Sequence, residues 1–161
     1  MNSEVQMYWN YISESIERLL KTLDNMSEEQ INVRLTNSAN SLFVLGVHTL
    51  GNVEENCLEV LCGQEVGRNR DAEFLDRGTR DSVTNLWKDL QDPLIMALDT
   101  LTPESLDKIY DHPRRVGCSG LEILLLTSRH AAEHMGQAEI TKDLLLAQKI
   151  NLGPGPIVTE Q

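Results

Sequence analysis

Four long stretches of this chain repeat apolar residues at three- and four-residue steps, and this periodicity constrains the fold more than any other feature. Such spacing places the apolar side chains on one face of an α-helix. The clearest stretch, from Ser3 to Leu23, has apolar residues at Val5, Tyr8, Trp9, Ile12, Ile16, Leu19, Leu20 and Leu23. The others run from Ser38–Ser41 to Cys62, from Asp81 to Leu101 and from Ser119 to about Ile150. Four amphipathic helices that each bury one face predict an all-α four-helix bundle.

Two glycines, Gly46 and Gly51, interrupt the second predicted helix. Each costs roughly 1 kcal/mol relative to alanine in a helix, so we expect a neighbouring helix or a ligand to approach closely there. The helix should end at Gly63, where the segment GQEVGRNRDAEFLDRGTRD begins. That segment has many charges and no apolar periodicity, and it predicts a long crossover loop between the second and third helices.

The third and fourth predicted helices carry their own local signals. Pro93 predicts a kink or a restart within the third helix, because proline lacks the amide hydrogen that the helix needs. Ser119 and Glu122 have the spacing of a capping box at the start of the fourth. The 161 residues suit one domain, 1–161. We expect residues 150–161 to form a non-helical tail, because Gly153, Pro154 and Pro156 disfavour a helix.

Composition excludes several classes of partner. The chain has 14 basic and 25 acidic residues, for a formal net charge of −11, so a nucleic-acid backbone would be repelled. No apolar run approaches the roughly 20 residues that span a bilayer, and the start, MNSEVQMYWN, has no signal-peptide pattern. We therefore expect a cytoplasmic protein with no membrane partner. The three cysteines, which form no CxxC pair, are expected to be reduced thiols that pack as small hydrophobes: Cys57, Cys62 and Cys118.

Three histidines at mid-helix positions predict a metal site. His130 and His134 are four residues apart, so they lie on one helical face with Cβ atoms about 5–6 Å apart. His48 is the third candidate, in a line with Asn52 and Glu55 on a helix that otherwise contributes to the core. Polar groups in that position require bonding partners. A lone HxxxH pair arises by chance, but three of the four histidines share this placement. The fourth, in a loop beside a proline, is expected to be solvated: His112.

A mid-helix histidine in the second helix, combined with HxxxH and Gly-Gln in the fourth, resembles the DinB/YfiT superfamily. The residues that match are His48, His130, His134, Gly136 and Gln137. The resemblance covers nearly the whole chain. It implies an up-down-down-up bundle with a long crossover between helices two and three, in which the three histidines hold one divalent transition metal. Zinc or nickel is expected, and iron also accepts imidazole ligands. The resemblance further implies a homodimer.

Members of that superfamily with known activities are mostly thiol-dependent transferases or isomerases, so the resemblance implies a small-molecule thiol as partner. The physical basis would be the stabilisation of a thiolate by the metal ion. Four polar residues near the histidines are candidates to orient a ligand, hydrogen-bond an imidazole or act as a base: Asn52, Glu55, Glu133 and Gln137.

Two other interpretations stay open at the level of the sequence. The bundle could be a non-catalytic protein that binds a metal or a small ligand, with the ion joining helices two and four. The segment HAAEH also fits the HxxEH pattern of some zinc peptidases, in which Glu133 would be the general base. A metal-dependent hydrolase is the weaker alternative, because a chain of this length without strand signals does not match the larger mixed folds of those peptidases.

Overall fold

The computed structural model describes residues 1–151. Seven helices are present in this range, and a short π-helical segment continues the third. The elements are α1 (Ser3–Thr22), α2 (Glu28–Asn32), α3 (Leu42–Glu54), the π-helical segment (Glu55–Leu61), α4 (Arg70–Glu73), α5 (Arg80–Asp99), α6 (Pro103–Asp107), β1 (Ile109–Tyr110), β2 (Cys118–Ser119) and α7 (Gly120–Asn151). The four predicted long helices are α1, α3 with the π-helical segment, α5 and α7. The predicted tail covers residues 150–161, and the part from position 152 onward lies outside the described residues.

Contacts between the long helices give their relative directions. Helices α1 and α7 are parallel, because Arg18 contacts Glu139 and Lys21 contacts Lys142. Helices α1 and α5 are antiparallel, because Asn2 contacts Leu101 and Asp24 contacts Arg80. Helices α3 and α5 are parallel, because Gly46 lies beside Val83 and Cys62 contacts Ala97. The arrangement is an all-α bundle with up-down-down-up order, as predicted.

The core lies between the four long helices and is mainly aliphatic. The largest fully buried side chains include Ile12, Ile16, Leu19, Leu42, Leu45, Leu50, Leu94, Leu98, Ile123 and Leu124. Burying such a side chain contributes roughly 1.5–3 kcal/mol. Gly46 lies where α3 meets α5, and a Cβ atom there would be 2.8 Å from Cγ1 of Val83. The close helix approach expected at this glycine is therefore present.

The structure differs from the sequence-based predictions at three places. Of the predicted kink or restart at Pro93, the restart is wrong, because α5 is one continuous helix. The apolar stripe of Leu90, Leu94 and Leu98 stays buried on both sides of the proline. The crossover contains the single turn α4, which Asn69 caps by accepting a hydrogen bond from the Ala72 amide. The irregular segment before α7 includes a two-residue antiparallel pair, β1 with β2.

The start of α7 follows the prediction. The Ser119 hydroxyl accepts from the Glu122 amide at 3.2 Å, and the Glu122 carboxylate accepts from the Ser119 amide at 2.8 Å. This capping box satisfies two amide groups that have no partner inside the helix. Within residues 1–151, no helix combines the length and apolarity that crossing a membrane requires.

Candidate metal centre

The structure brings the three predicted histidines together. His48 lies on α3, and His130 and His134 lie one turn apart on α7. The Nε2 atom of His130 is 3.3 Å from Nε2 of His48 and 3.1 Å from Nε2 of His134. One ligand atom from each residue lies within 4.8 Å of the other two. The three imidazoles therefore direct the same ring nitrogen toward one point.

Partners on the opposite ring nitrogens fix the tautomers of two of these histidines. Nδ1 of His48 lies 2.8 Å from Oε2 of Glu73, and Nδ1 of His134 lies 2.8 Å from Oε1 of Gln137. Nη2 of Arg68 also lies 3.3 Å from Nδ1 of His48, but the contact with the Glu73 carboxylate is shorter. Because carboxylate and amide oxygens only accept hydrogen bonds, we assign the hydrogen to Nδ1 in both histidines. Both Nε2 atoms are then left with a lone pair.

This arrangement fits a metal ion better than it fits a hydrogen-bonded cluster. The lone pairs of His48 and His134 both face Nε2 of His130. A neutral His130 can donate its one hydrogen to a single neighbour, so at least one pair of nitrogens would meet without a proton between them. A transition-metal ion accepts all three lone pairs at once. The donor set is therefore suited to a metal ion.

A buried network of charges holds His48 in place. The Arg68 guanidinium donates to both oxygens of Glu73, at 2.6 and 2.8 Å, and to Oε2 of Glu55 at 2.9 Å. Nε of Arg114 lies 2.9 Å from the other oxygen of Glu55. Only 4% of the Arg68 side chain is exposed, and burial of a charge is costly unless it is paired. The network thus sets the position of the carboxylate that accepts from His48.

Gly51 allows this network to reach α3. A Cβ atom at this position would lie 2.5 Å from Oε1 of Glu73 and 2.9 Å from Nε of Arg68. Real Cβ atoms do not approach other atoms so closely, so any other residue would displace the ion pair. The close approach predicted at Gly51 therefore comes from the crossover segment, which covers α3 beside His48.

Burial keeps two of the histidines neutral. It lowers the pKa of His48, against the opposing effect of Glu73. Burial also lowers the pKa of His130 to about 3, and the nearby His134, His48, Arg68 and Arg115 further disfavour a positive charge on it. Nδ1 of His130 is buried without a hydrogen-bond partner among the described residues. Neutral imidazole is the form that binds a metal ion.

A cavity of about 350 Å³ opens beside the histidines. His48 and His130 form part of its wall, together with Arg68, Arg70, Arg114 and Arg115. Asn52 and Glu55 also line it. The histidine cluster is therefore accessible from a polar cavity large enough to hold a small molecule.

The four polar candidates occupy different environments. Gln137 contacts His134 directly. Asn52 and Glu55 are buried at the cavity wall, but their hydrogen bonds go to Asn56 and to arginines instead of an imidazole. Glu133 is 56% exposed and lies 3.2 Å from Arg129 on the outer face of α7. The structure thus places Glu133 apart from the histidine cluster.

Sequence reasoning missed the residues that loops bring to the site. Glu73 and Arg68 lie in the crossover, and Arg114 and Arg115 lie in the segment before α7. Near the histidines, Gly51 was the one residue that predicted a closely packed neighbour. It did not identify which segment of the chain that neighbour is. His112, expected to be solvated, is half-buried, with Nε2 3.3 Å from Oε1 of Glu59.

The cysteines are all free in the described residues. Burial raises the pKa of the Cys57 thiol to about 12, so this side chain is an unreactive neutral group at physiological pH. Burial also raises the pKa of Cys62, which is partly exposed. Both effects agree with cysteines that pack as small hydrophobes.

Comparison with known proteins places the fold and the family. A solved structure, titled the crystal structure of the conserved protein of locus from Enterococcus faecalis, superposes with a TM-score of 0.70 at 16% sequence identity. The match covers 91% of this chain and 99% of that one, which shows a shared fold. No curated protein matches the sequence. Residues 4–151 match the family described as protein of unknown function (DUF1572), so this chain belongs to that family, which has a DinB/YfiT-like fold.

Proposed function

We propose that His48, His130 and His134 bind one divalent transition metal, zinc or nickel, and that the protein is an enzyme that activates a small thiol or water. The observation that carries this proposal is the convergence of three Nε2 atoms on one point at the wall of a cavity. We infer both the metal and the reaction from this geometry and from the resemblance to the DinB/YfiT superfamily.

The number of ligands supports a reactive site over a purely structural one. Structural zinc sites are almost always closed by four protein ligands, whereas catalytic sites have three and leave a position for water or substrate. The group found within residues 1–151 contains three histidines and no fourth cysteine, histidine or carboxylate. His48 and His130 also form part of the cavity wall, so a ligand in the cavity can reach the point that their nitrogens share.

The chain's own residues prepare this site in three ways. Glu73 and Gln137 hold the hydrogens on Nδ1 of His48 and His134, which leaves the Nε2 lone pairs available. Burial keeps His48 and His130 neutral. A divalent ion bound there would stabilise the anionic form of a thiol or water and so lower its pKa.

Two cavity residues have supporting roles in this proposal. Asn52 lines the cavity, and its side-chain amide is the group that we propose to hydrogen-bond a ligand. Glu55 holds Arg68 and Arg114 in place through its two oxygens and does not contact an imidazole. We therefore assign Glu55 to positioning and not to proton transfer.

Metal analysis of untagged protein tests the binding part of the proposal. Mass spectrometry of the purified protein should find about one zinc or nickel ion per chain. His48→Ala and His134→Ala should each lose most of it, and His112→Ala is the matched control that keeps it. Full occupancy in both site variants would contradict the site.

The activating role needs a second experiment. In cobalt-substituted protein, the visible spectrum reports the ligands of the ion. A change on addition of glutathione or cysteine would support an open position that accepts a thiol. A spectrum that stays the same with every thiol and also with azide would indicate a closed, non-catalytic site.

A further inference from the structure

The cavity beside the histidines has the opposite charge to the molecule as a whole. The chain has 14 basic and 25 acidic residues. Four of the basic residues line the cavity, Arg68, Arg70, Arg114 and Arg115, and Glu55 is the one acidic residue among those that line it. Arginines that surround one polar cavity of an otherwise acidic protein create a locally positive potential, which attracts anions.

Two of these arginines already have carboxylate partners. Arg68 is shared between Glu73 and Glu55 and is almost completely buried. Arg114 bonds to Glu55 through Nε at 2.9 Å, and 44% of its side chain is exposed. These two residues mainly balance the carboxylates that orient His48, so they do not by themselves indicate a ligand.

Arg115 is different, because one of its donors has no partner. Its Nη1 atom donates to the backbone oxygen of Arg114 at 2.7 Å, while Nε is buried without a hydrogen-bond partner in the described part of the chain. A buried N–H of a charged group costs free energy when it is left unbonded. Arg115 and His130 line the same cavity, so the Arg115 charge contributes to the field beside the histidine cluster.

Arg70 is oriented by stacking, which leaves its donors available. Its guanidinium lies over the ring of Phe74, with Cζ 5.0 Å from the ring centroid. The Phe74 ring in turn packs against His48 at a centroid distance of 4.8 Å. Nη1 of Arg70 lies 4.0 Å from a carboxylate oxygen of Asp71, whose side chain is 97% exposed. Stacking fixes the plane of a guanidinium while its edge can still bind an anion.

We infer that the ligand of this cavity is a small molecule with a carboxylate or phosphate group, which Arg70 and Arg115 bind while another part of the molecule reaches the histidine cluster. Guanidinium groups match both anions through paired N–H donors. The cavity, at about 350 Å³, is at the small end of the range for ligand sites. This inference names the substrate class of the proposed enzyme and rests on that proposed function.

Calorimetric titration at fixed low ionic strength tests the inference with three probes: inorganic phosphate, malonate and the neutral analogue malonamide. Wild-type protein should bind phosphate or malonate, and the tighter of the two identifies the anionic group. Malonamide should not bind. The double variant Arg70→Gln/Arg115→Gln should bind the preferred anion about tenfold more weakly or worse, because it lacks two charged donors. Arg129→Gln, which removes an exposed arginine on the outer face of α7, is the matched control.

The titrations are run on zinc-loaded protein and on protein stripped by a chelator. Zinc content of each variant is measured in parallel, and the double variant should retain full zinc, because neither arginine supplies a histidine-cluster nitrogen. A wild-type protein that binds neither zinc nor nickel would refute the proposed function, and titration of the metal-free protein would still test the arginines. Anion binding that is absent from the wild type, unchanged in the double variant or matched by malonamide would overturn the inference.

Discussion

Replacement of Glu73 by glutamine tests whether the crossover segment controls the histidine cluster. The carboxylate accepts from Nδ1 of His48 at 2.8 Å and from Arg68 at 2.6 and 2.8 Å. Glutamine has nearly the same shape but only one accepting oxygen. If that oxygen faces Arg68, the amide nitrogen faces His48 and favours a hydrogen on Nε2, which removes the lone pair directed at the metal.

The expected loss follows from the geometry. Removal of a group that orients a metal-binding histidine costs about 10–100-fold in metal affinity, or about 1.4–2.7 kcal/mol. The variant should also be less stable without metal. Loss of one partner of a buried ion pair costs about 3–5 kcal/mol, and the cost here should lie below that range because Arg68 keeps Glu55.

A competition titration against a chromophoric zinc chelator measures the affinity, and urea unfolding of the metal-free protein measures the stability separately. Glu133→Gln is the matched control, because this glutamate lies one residue from His134 in sequence but pairs with Arg129 on the exposed face. It should leave zinc affinity unchanged. Equal affinity in Glu73→Gln and wild type, or an equal loss in Glu133→Gln, would refute the assigned role of Glu73.

Three further predictions concern the two glycines of α3, Gln137 and Cys57. Gly51→Ala should displace the Glu73 ion pair and weaken zinc binding. Gly46→Ala should lower the melting temperature with no direct effect on zinc affinity. Similar zinc affinities for the two variants would contradict the different roles of these glycines. Gln137→Leu should weaken zinc binding about tenfold or more, measured by the same chelator competition, and an unchanged affinity would show that the contact with His134 is dispensable. Cys57 should not react with a thiol-specific reagent at neutral pH in the folded protein and should react after denaturation, so rapid labelling of the native thiol would disprove its burial.

The helices could be predicted because their apolar periodicity is local. Each stripe lies within about twenty residues, and the burial of residues such as Ile12 and Leu98 follows the stripe. The capping pair of Ser119 and Glu122 is equally local. The continuity of α5 through Pro93 was not predictable from local sequence, because it depends on packing against the other helices.

The environment of the histidines could be predicted only in part. His130 and His134 share a helical turn, so their proximity follows from spacing. The partnership of His48 with Glu73 joins two segments through the path of the crossover, which has no periodicity from which to read its position. The positions of the cavity arginines depend on the paths of two such loops. The thiol partner, the homodimer and the cytoplasmic location remain predictions that no observation on the structure tests.

X-ray absorption spectroscopy at the zinc edge of the untagged, zinc-loaded protein identifies the ligands of the ion. We expect three imidazole nitrogens at about 2.0–2.1 Å and a further light ligand from solvent. His48→Ala should lose one imidazole contribution or lose the zinc. In protein freed of small thiols, a first shell that contains sulfur at about 2.3 Å, or one with fewer than three imidazoles in the wild type, would contradict the proposed site.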